Sequence, residues 1–151
     1  MMNWNFPGIL ALGLLTGIPG CPANACQWDS LIEKEARKQG VPPDTAVLIC
    51  HAESSGNPLA VGDQGNSRGL FQISRGTWTA LTNLGWEKAF DPIANIRIAT
   101  RYLSLARTSS TKELILFHQS GSKNWRKLNP KWTIKNQNRI YREIYRGKRE
   151  P

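Results

Sequence analysis

The strongest constraint on this chain is a helical pattern that is interrupted once. Apolar residues recur at helical spacing through most of the sequence, but from Asn57 to Arg68 the chain becomes rich in Gly, Asn, Asp and Ser. Asp29 or Ser30 can cap a first helix that runs to about Gln39, where Gly40 ends it. Val41-Pro42-Pro43 is a short rigid link, and a second helix starts near Pro43 because the first amides of a helix need no partners. It runs to about Ser54 and stops at Gly56-Asn57-Pro58. The interruption then predicts two or three very short strands, from the pieces Leu59-Ala60-Val61 and Leu70-Phe71-Gln72-Ile73. Ser74 can cap a third helix with Trp78 and Leu81 inward. Asp91-Pro92 opens a fourth, with Ile96, Ala99, Tyr102, Leu103 and Ala106 as its apolar stripe. Ser110 or Thr111 starts a fifth, closing near Gly121, and Lys131 to Arg146 forms a last, basic helix. The predicted class is α+β and mostly helical, with a very small sheet inserted after the second helix. At 151 residues there is room for one domain.

The first 25 residues carry no charged side chain, and Phe6 to Ile18 is an apolar run broken by Gly and Pro. That run is short for a membrane span but suits a signal peptide, with Ala23-Asn24-Ala25 as the cleavage site. The expected organisation is a leader over 1–25 and one catalytic domain over 26–151. The mature chain would then lie in the periplasm or cell wall, with no stable insertion in a membrane. A lipoprotein anchored at Cys21 is the alternative. Export leaves two cysteines, Cys26 and Cys50, in an oxidising compartment. An antiparallel pairing of the first two helices would bring them together, so a disulfide is expected; two buried thiols are the other reading.

Charge is uneven. Of the net +9, the stretch from Ser122 to Pro151 holds +8, from ten Lys and Arg against Glu143 and Glu150. A basic segment can serve nucleic acid, anionic lipid or an acidic polymer. For an exported protein, peptidoglycan and its anionic polymers fit best and nucleic acid is not expected; a merely solubilising face is the bland alternative. No His/Cys/Asp grouping has metal-ligand spacing and no glycine loop of phosphate-binding type occurs, so neither metal nor cofactor is expected.

Glu53 is the acid in an unusual place. Ala46, Ile49, Cys50 and Glu53 fall at i, i+3, i+4 and i+7, which puts the carboxyl on the apolar stripe at the C-terminal end of the second helix. Burial and the negative end of the helix dipole both penalise its charge, so it should keep a proton towards neutral pH, as a general acid must. A helix-end carboxylate bonded to a backbone amide is the competing reading. His51, two residues earlier, points elsewhere and reads as structural. Trp78, Trp86, Trp125 and Trp132 read mainly as core, with some available to stack on sugar rings.

Glu53-Ser54-Ser55-Gly56-Asn57-Pro58-Leu59-Ala60-Val61 resembles the catalytic motif of the soluble lytic transglycosylases, a lysozyme-like family. Gly69-Leu70-Phe71-Gln72-Ile73 resembles the family's second motif, and Asp91-Pro92 with Asn95 and Tyr102-Leu103 its next helix. The resemblance implies a lysozyme-like fold and cleavage of the bond between N-acetylmuramic acid and N-acetylglucosamine, with 1,6-anhydro ends. Glu53 would be acid and then base; Ser54, Gln72 and Tyr141 would orient it or contact substrate. The third motif departs from the family. Phe117-His118-Gln119-Ser120-Gly121 stands where Tyr-Asn, a residue and Gly are usual, so His118 and Gln119 become the candidate substrate contacts. Small members of the family often serve secretion, conjugation or phage machines. Three rivals remain: a hydrolase of goose-type lysozyme character with Asp63 positioning water, a wall-binding or assembly protein without catalysis, and a cationic toxin acting on membranes through the C-terminal helix. The exported protein is expected to begin at Cys26, which its intact mass checks; a lipid-modified Cys21 would favour the anchored alternative.

Overall fold

The computed structural model describes residues 26–120. The leader 1–25 with Cys21, and the tail with Gly121, Trp125, Trp132, the basic helix over 131–146 and Tyr141, lie outside the described residues. The described residues form five α-helices and a three-stranded antiparallel sheet. In order these are α1 (Asp29–Lys38), α2 (Pro43–Ser54), β1 (Val61–Gly62), β2 (Ser67–Arg68), β3 (Ile73–Ser74), α3 (Arg75–Leu81), α4 (Pro92–Ser104) and α5 (Thr111–Ser120). A 3₁₀ turn, Trp86–Phe90, precedes α4. The predicted class holds: a mostly helical α+β fold with a sheet of two-residue strands after the second helix.

Each helix boundary has a local cause. Pro43 opens α2, and Ser55 and Gly56 close it with φ of +53° and +78°. A side chain on Gly56 would run into the Cys26 sulfur, so the turn after α2 tolerates no larger residue. Ser74 caps α3 by accepting from the Thr77 amide, and Asp91 caps α4 by accepting from the Ala94 amide at 2.9 Å. At α1 the expectation shifts by one residue. Trp28 occupies the cap position and Asp29 is the first helical residue. The Asp29 carboxylate accepts from the Cys26 amide at 3.0 Å and pairs with His51 Nε2 at 2.9 Å. His51 thus ties the end of α2 to the start of α1, a structural role as its helix position suggested.

The core is shared by α1, α2, α4 and α5. Ile32 and Ala36 of α1, Ala46 and Ile49 of α2, Ile96 and Leu103 of α4, and Leu114 of α5 are all buried. Trp78 of α3 is fully buried, with its indole nitrogen donating to the Leu84 carbonyl at 2.9 Å. Close packing of this set is what fixes the helices' mutual positions.

The disulfide expected between Cys26 and Cys50 is not formed. The antiparallel α1–α2 pair does bring the two cysteines close, and both are buried. The two cysteines stay thiols, and the Cys26 sulfur lies 3.9 Å from the Gly56 carbonyl. Burial first, and Cys26 second, push the Cys50 thiol well above its usual range, which keeps it protonated and unreactive.

The strand expected over Leu70–Ile73 also forms only in part. Ladder pairing joins Arg68 to Ile73 and Ser67 to Ser74, and the residues between make a turn. Asn95, fully buried on α4, is the reason. Its Oδ1 accepts from the Phe71 amide at 3.0 Å, and its Nδ2 donates to the carbonyls of Arg68 and Ala89 at 3.1 and 2.8 Å. Gly69 at φ +78° lies so close that a Cβ would strike both the Asn95 amide and the Ala89 carbonyl. Asn95→Leu would remove the partner of two buried main-chain groups, the Phe71 amide and the Ala89 carbonyl, each costing about 1–3 kcal/mol, and of the partly buried Arg68 carbonyl. Chemical denaturation of this variant is expected to show a loss of at least ~2 kcal/mol.

Candidate active site

Three chain segments meet at Glu53: the end of α2 that carries it, the turn between β1 and β2, and the end of α5. The side chain keeps 25% of its surface exposed, so the carboxyl is neither sealed in the core nor fully hydrated. Its pKa is raised to about 7. Burial is the larger cause, and the nearby Asp63 carboxylate adds to it by repulsion. The position inferred from the apolar stripe is therefore the observed one.

Asp63 stands in the turn after β1, with its backbone at φ +48° and the following Gln64 at φ +55°. The Ser67 hydroxyl donates to its carboxylate at 2.6 Å. That bond holds an exposed acid in a left-handed conformation that costs free energy. A sequence reading sees a turn residue here; only the folded chain aims its charge at Glu53.

His118 occupies the other side. Its Nε2 lies 3.6 Å from Glu53 Oε1, and its side chain is only 6% exposed. Burial lowers its pKa to about 4, with the Phe71 main chain opposing the shift, so the imidazole is neutral from mildly acidic pH upward. Its ring stands edge-on to Tyr102 at 6.1 Å, and the Tyr102 hydroxyl donates to the Phe117 carbonyl at 3.3 Å.

The remaining predicted residues distribute differently. The Ser54 hydroxyl donates back to the Cys50 carbonyl at 3.2 Å, within its own helix. The Gln72 amide nitrogen donates to the carbonyls of Ala60 and Gly69, both at 3.0 Å, and its oxygen faces Gly62. Gln72 therefore braces the turn that carries Asp63, and does so at a backbone φ of +46°. Gln119 is exposed beside the buried His118. No group of three His, Cys, Asp or Glu side chains among the described residues has a metal-binding arrangement, and no described helix is long and apolar enough to cross a membrane.

Residues 30–120 match the transglycosylase SLT domain. The chain belongs to this family. Membership makes it a lysozyme-like protein of lytic transglycosylase type, and implies peptidoglycan as its substrate. No curated protein matches the chain. The SLT match takes in Glu53, the Gly69–Ile73 turn, Asn95 and His118, and ends at Ser120, short of Tyr141.

The raised Glu53 pKa has a cost in stability with a definite sign. A carboxyl raised from 4.5 to about 7 leaves the fold unpenalised below pH 4.5, and the penalty grows as pH rises until about 7. A shift of that size corresponds to at most ~3 kcal/mol. Glu53→Gln is expected to melt with the parent protein near pH 4.5 and at higher temperature than the parent at pH 8. Calorimetry at the two pH values checks this, and equal melting at pH 8 would contradict a desolvated carboxylate.

Proposed function

We propose that this SLT-family protein is a lytic transglycosylase. It cleaves the β-1,4 bond between N-acetylmuramic acid and N-acetylglucosamine and leaves 1,6-anhydromuramoyl ends. The observation that carries the reading is a partly buried carboxyl, Glu53, held near neutral pKa by desolvation yet still open to solvent. Protonated, it donates to the glycosidic oxygen as the bond to the anomeric carbon breaks. Ionised, it then takes the proton of the muramoyl 6-hydroxyl as that oxygen bonds to the anomeric carbon. One carboxyl serves both steps and no water is consumed, so the pair of carboxylates that common glycosidases need is not required. Export through the apolar leader would deliver the enzyme to the wall. Its size suits local opening of the wall for a secretion, conjugation or phage assembly.

Asp63 supports a second reading. It is close enough to Glu53 to raise its pKa, and it is exposed to solvent. In a hydrolase it would position water on the far side of the bond, and the products would carry reducing muramic ends.

Mass analysis of purified sacculi after digestion separates the two: anhydro ends are expected, and reducing ends alone would defeat the transglycosylase mechanism. Glu53→Gln cannot donate or accept the proton and is expected to lose roughly 10²–10⁴-fold in rate. Full lysis by that variant would remove Glu53 from its role, whereas wall binding without lysis by the parent protein would favour the non-catalytic reading. The parent's kcat/KM is expected to fall as pH rises through about 7, because the acid form of Glu53 is then lost.

A further inference from the structure

His118 stands where the family usually carries a tyrosine, and its side chain is only 6% exposed. The ring is buried between Tyr102 and the Phe71 main chain, while its neighbour Gln119 faces solvent. Nδ1 is buried and has no hydrogen-bond partner. Among the described residues, the one side chain that either ring nitrogen meets as a polar partner is Glu53. A buried imidazole with an unpaired nitrogen costs free energy that a phenyl ring of similar shape would not.

We propose that, given Glu53 as the catalytic acid, His118 is its positioning residue: Nε2–H engages Oε1, which leaves Oε2 to carry the working proton towards the sugar. A bare Nδ1 suits this tautomer, because an orphaned buried N–H is rarer than an orphaned acceptor, and the Phe71 main chain, which favours a protonated ring, is the competing partner. The separation of 3.6 Å is longer than a hydrogen bond, and such contacts commonly tighten when substrate is bound. His118 keeps its proton throughout. Oε2 releases its proton to the leaving oxygen and later receives one from the 6-hydroxyl, while Oε1 stays tethered. The tether also favours the ionised form of Glu53, opposing burial and Asp63.

The groups facing His118 are Glu53 from α2 and Tyr102 from α4, with Asp63 acting on Glu53 from the β1–β2 turn. Burial pushes the Tyr102 hydroxyl up to about 12, so it does not titrate near neutrality. Loss of the His118 donor should therefore move the alkaline limb of the pH profile upward.

Steady-state rates on purified sacculi across pH, for His118→Phe, His118→Gln and Glu53→Gln in parallel, test the proposal. His118→Phe is expected to lose roughly 10–100-fold in kcat with little change in KM, as for a misplaced catalytic group, and its alkaline limb should move up. His118→Gln restores a donor and should recover most of the rate and the original limb. A His118→Phe enzyme with the parent's kcat and limb, a Gln variant as impaired as Phe, or a change confined to KM would overturn the proposal. If those results came beside an inactive Glu53→Gln, they would sink the role of His118 alone. A lytic Glu53→Gln would sink the reading of Glu53, and the tether with it. Should the His118 variants fail to fold, ¹⁵N spectra of the parent protein decide. The Nε2 signal should step as Glu53 ionises near pH 7, and ring nitrogens that ignore that transition would refute the contact.

Discussion

Everything at the site hangs from one buried carboxamide. Asn95 binds the Arg68 and Ala89 carbonyls and the Phe71 amide at once, so the turn after β2 is fastened to α4. A buried amide with its partners in place is specific, because any other arrangement of those segments would leave polar groups unpaired in a dry interior. From that fixed turn, the Phe71 main chain lies against the His118 ring, and Gln72 reaches back to hold Ala60 and Gly69. The Asp63 turn on one side and the His118 end of α5 on the other are thereby set around Glu53.

The Glu53 carboxyl is costly to hold, and its cost and its proposed use have the same origin. Partial desolvation at the end of α2 raises its pKa, and the Asp63 charge raises it further. A fully hydrated acid would be ionised at neutral pH and have no proton to give, and a fully buried one would meet no sugar. An exposure of 25% lies between these limits. Gly56 contributes to this placement, since a side chain there would displace Cys26 and with it the start of α1.

The third motif changes what surrounds the acid, and leaves the acid itself alone. A neutral imidazole on the last turn of α5 replaces the family's tyrosine and faces Glu53 from the core side. On our proposal, two ionisable neighbours then act on Glu53 in opposite senses. The Asp63 carboxylate disfavours its charge, and an imidazole N–H would favour it.

Local sequence by itself determined the helices and their ends. Asp91 and Ser74 cap, Pro43 and Pro92 open, and the periodic stripes face inward, because each of these depends on residues within a turn or two of one another. The placement of Glu53 on an apolar face at a helix end was legible for the same reason. Tertiary structure alone decided what could not be read locally. The Leu70–Gln72 stretch has the composition of a strand, yet Asn95 from a later helix takes its amide and folds it into a turn. The partners of Ser54 and Gln72 were not legible from their motifs: the Ser54 hydroxyl and the Gln72 amide nitrogen donate to main-chain carbonyls. Cys26 and Cys50 came together as the helix pairing suggested, yet both remain thiols. The approach of His118 and Asp63 to Glu53 joins segments far apart in the chain, and such contacts depend on packing geometry that no local pattern encodes.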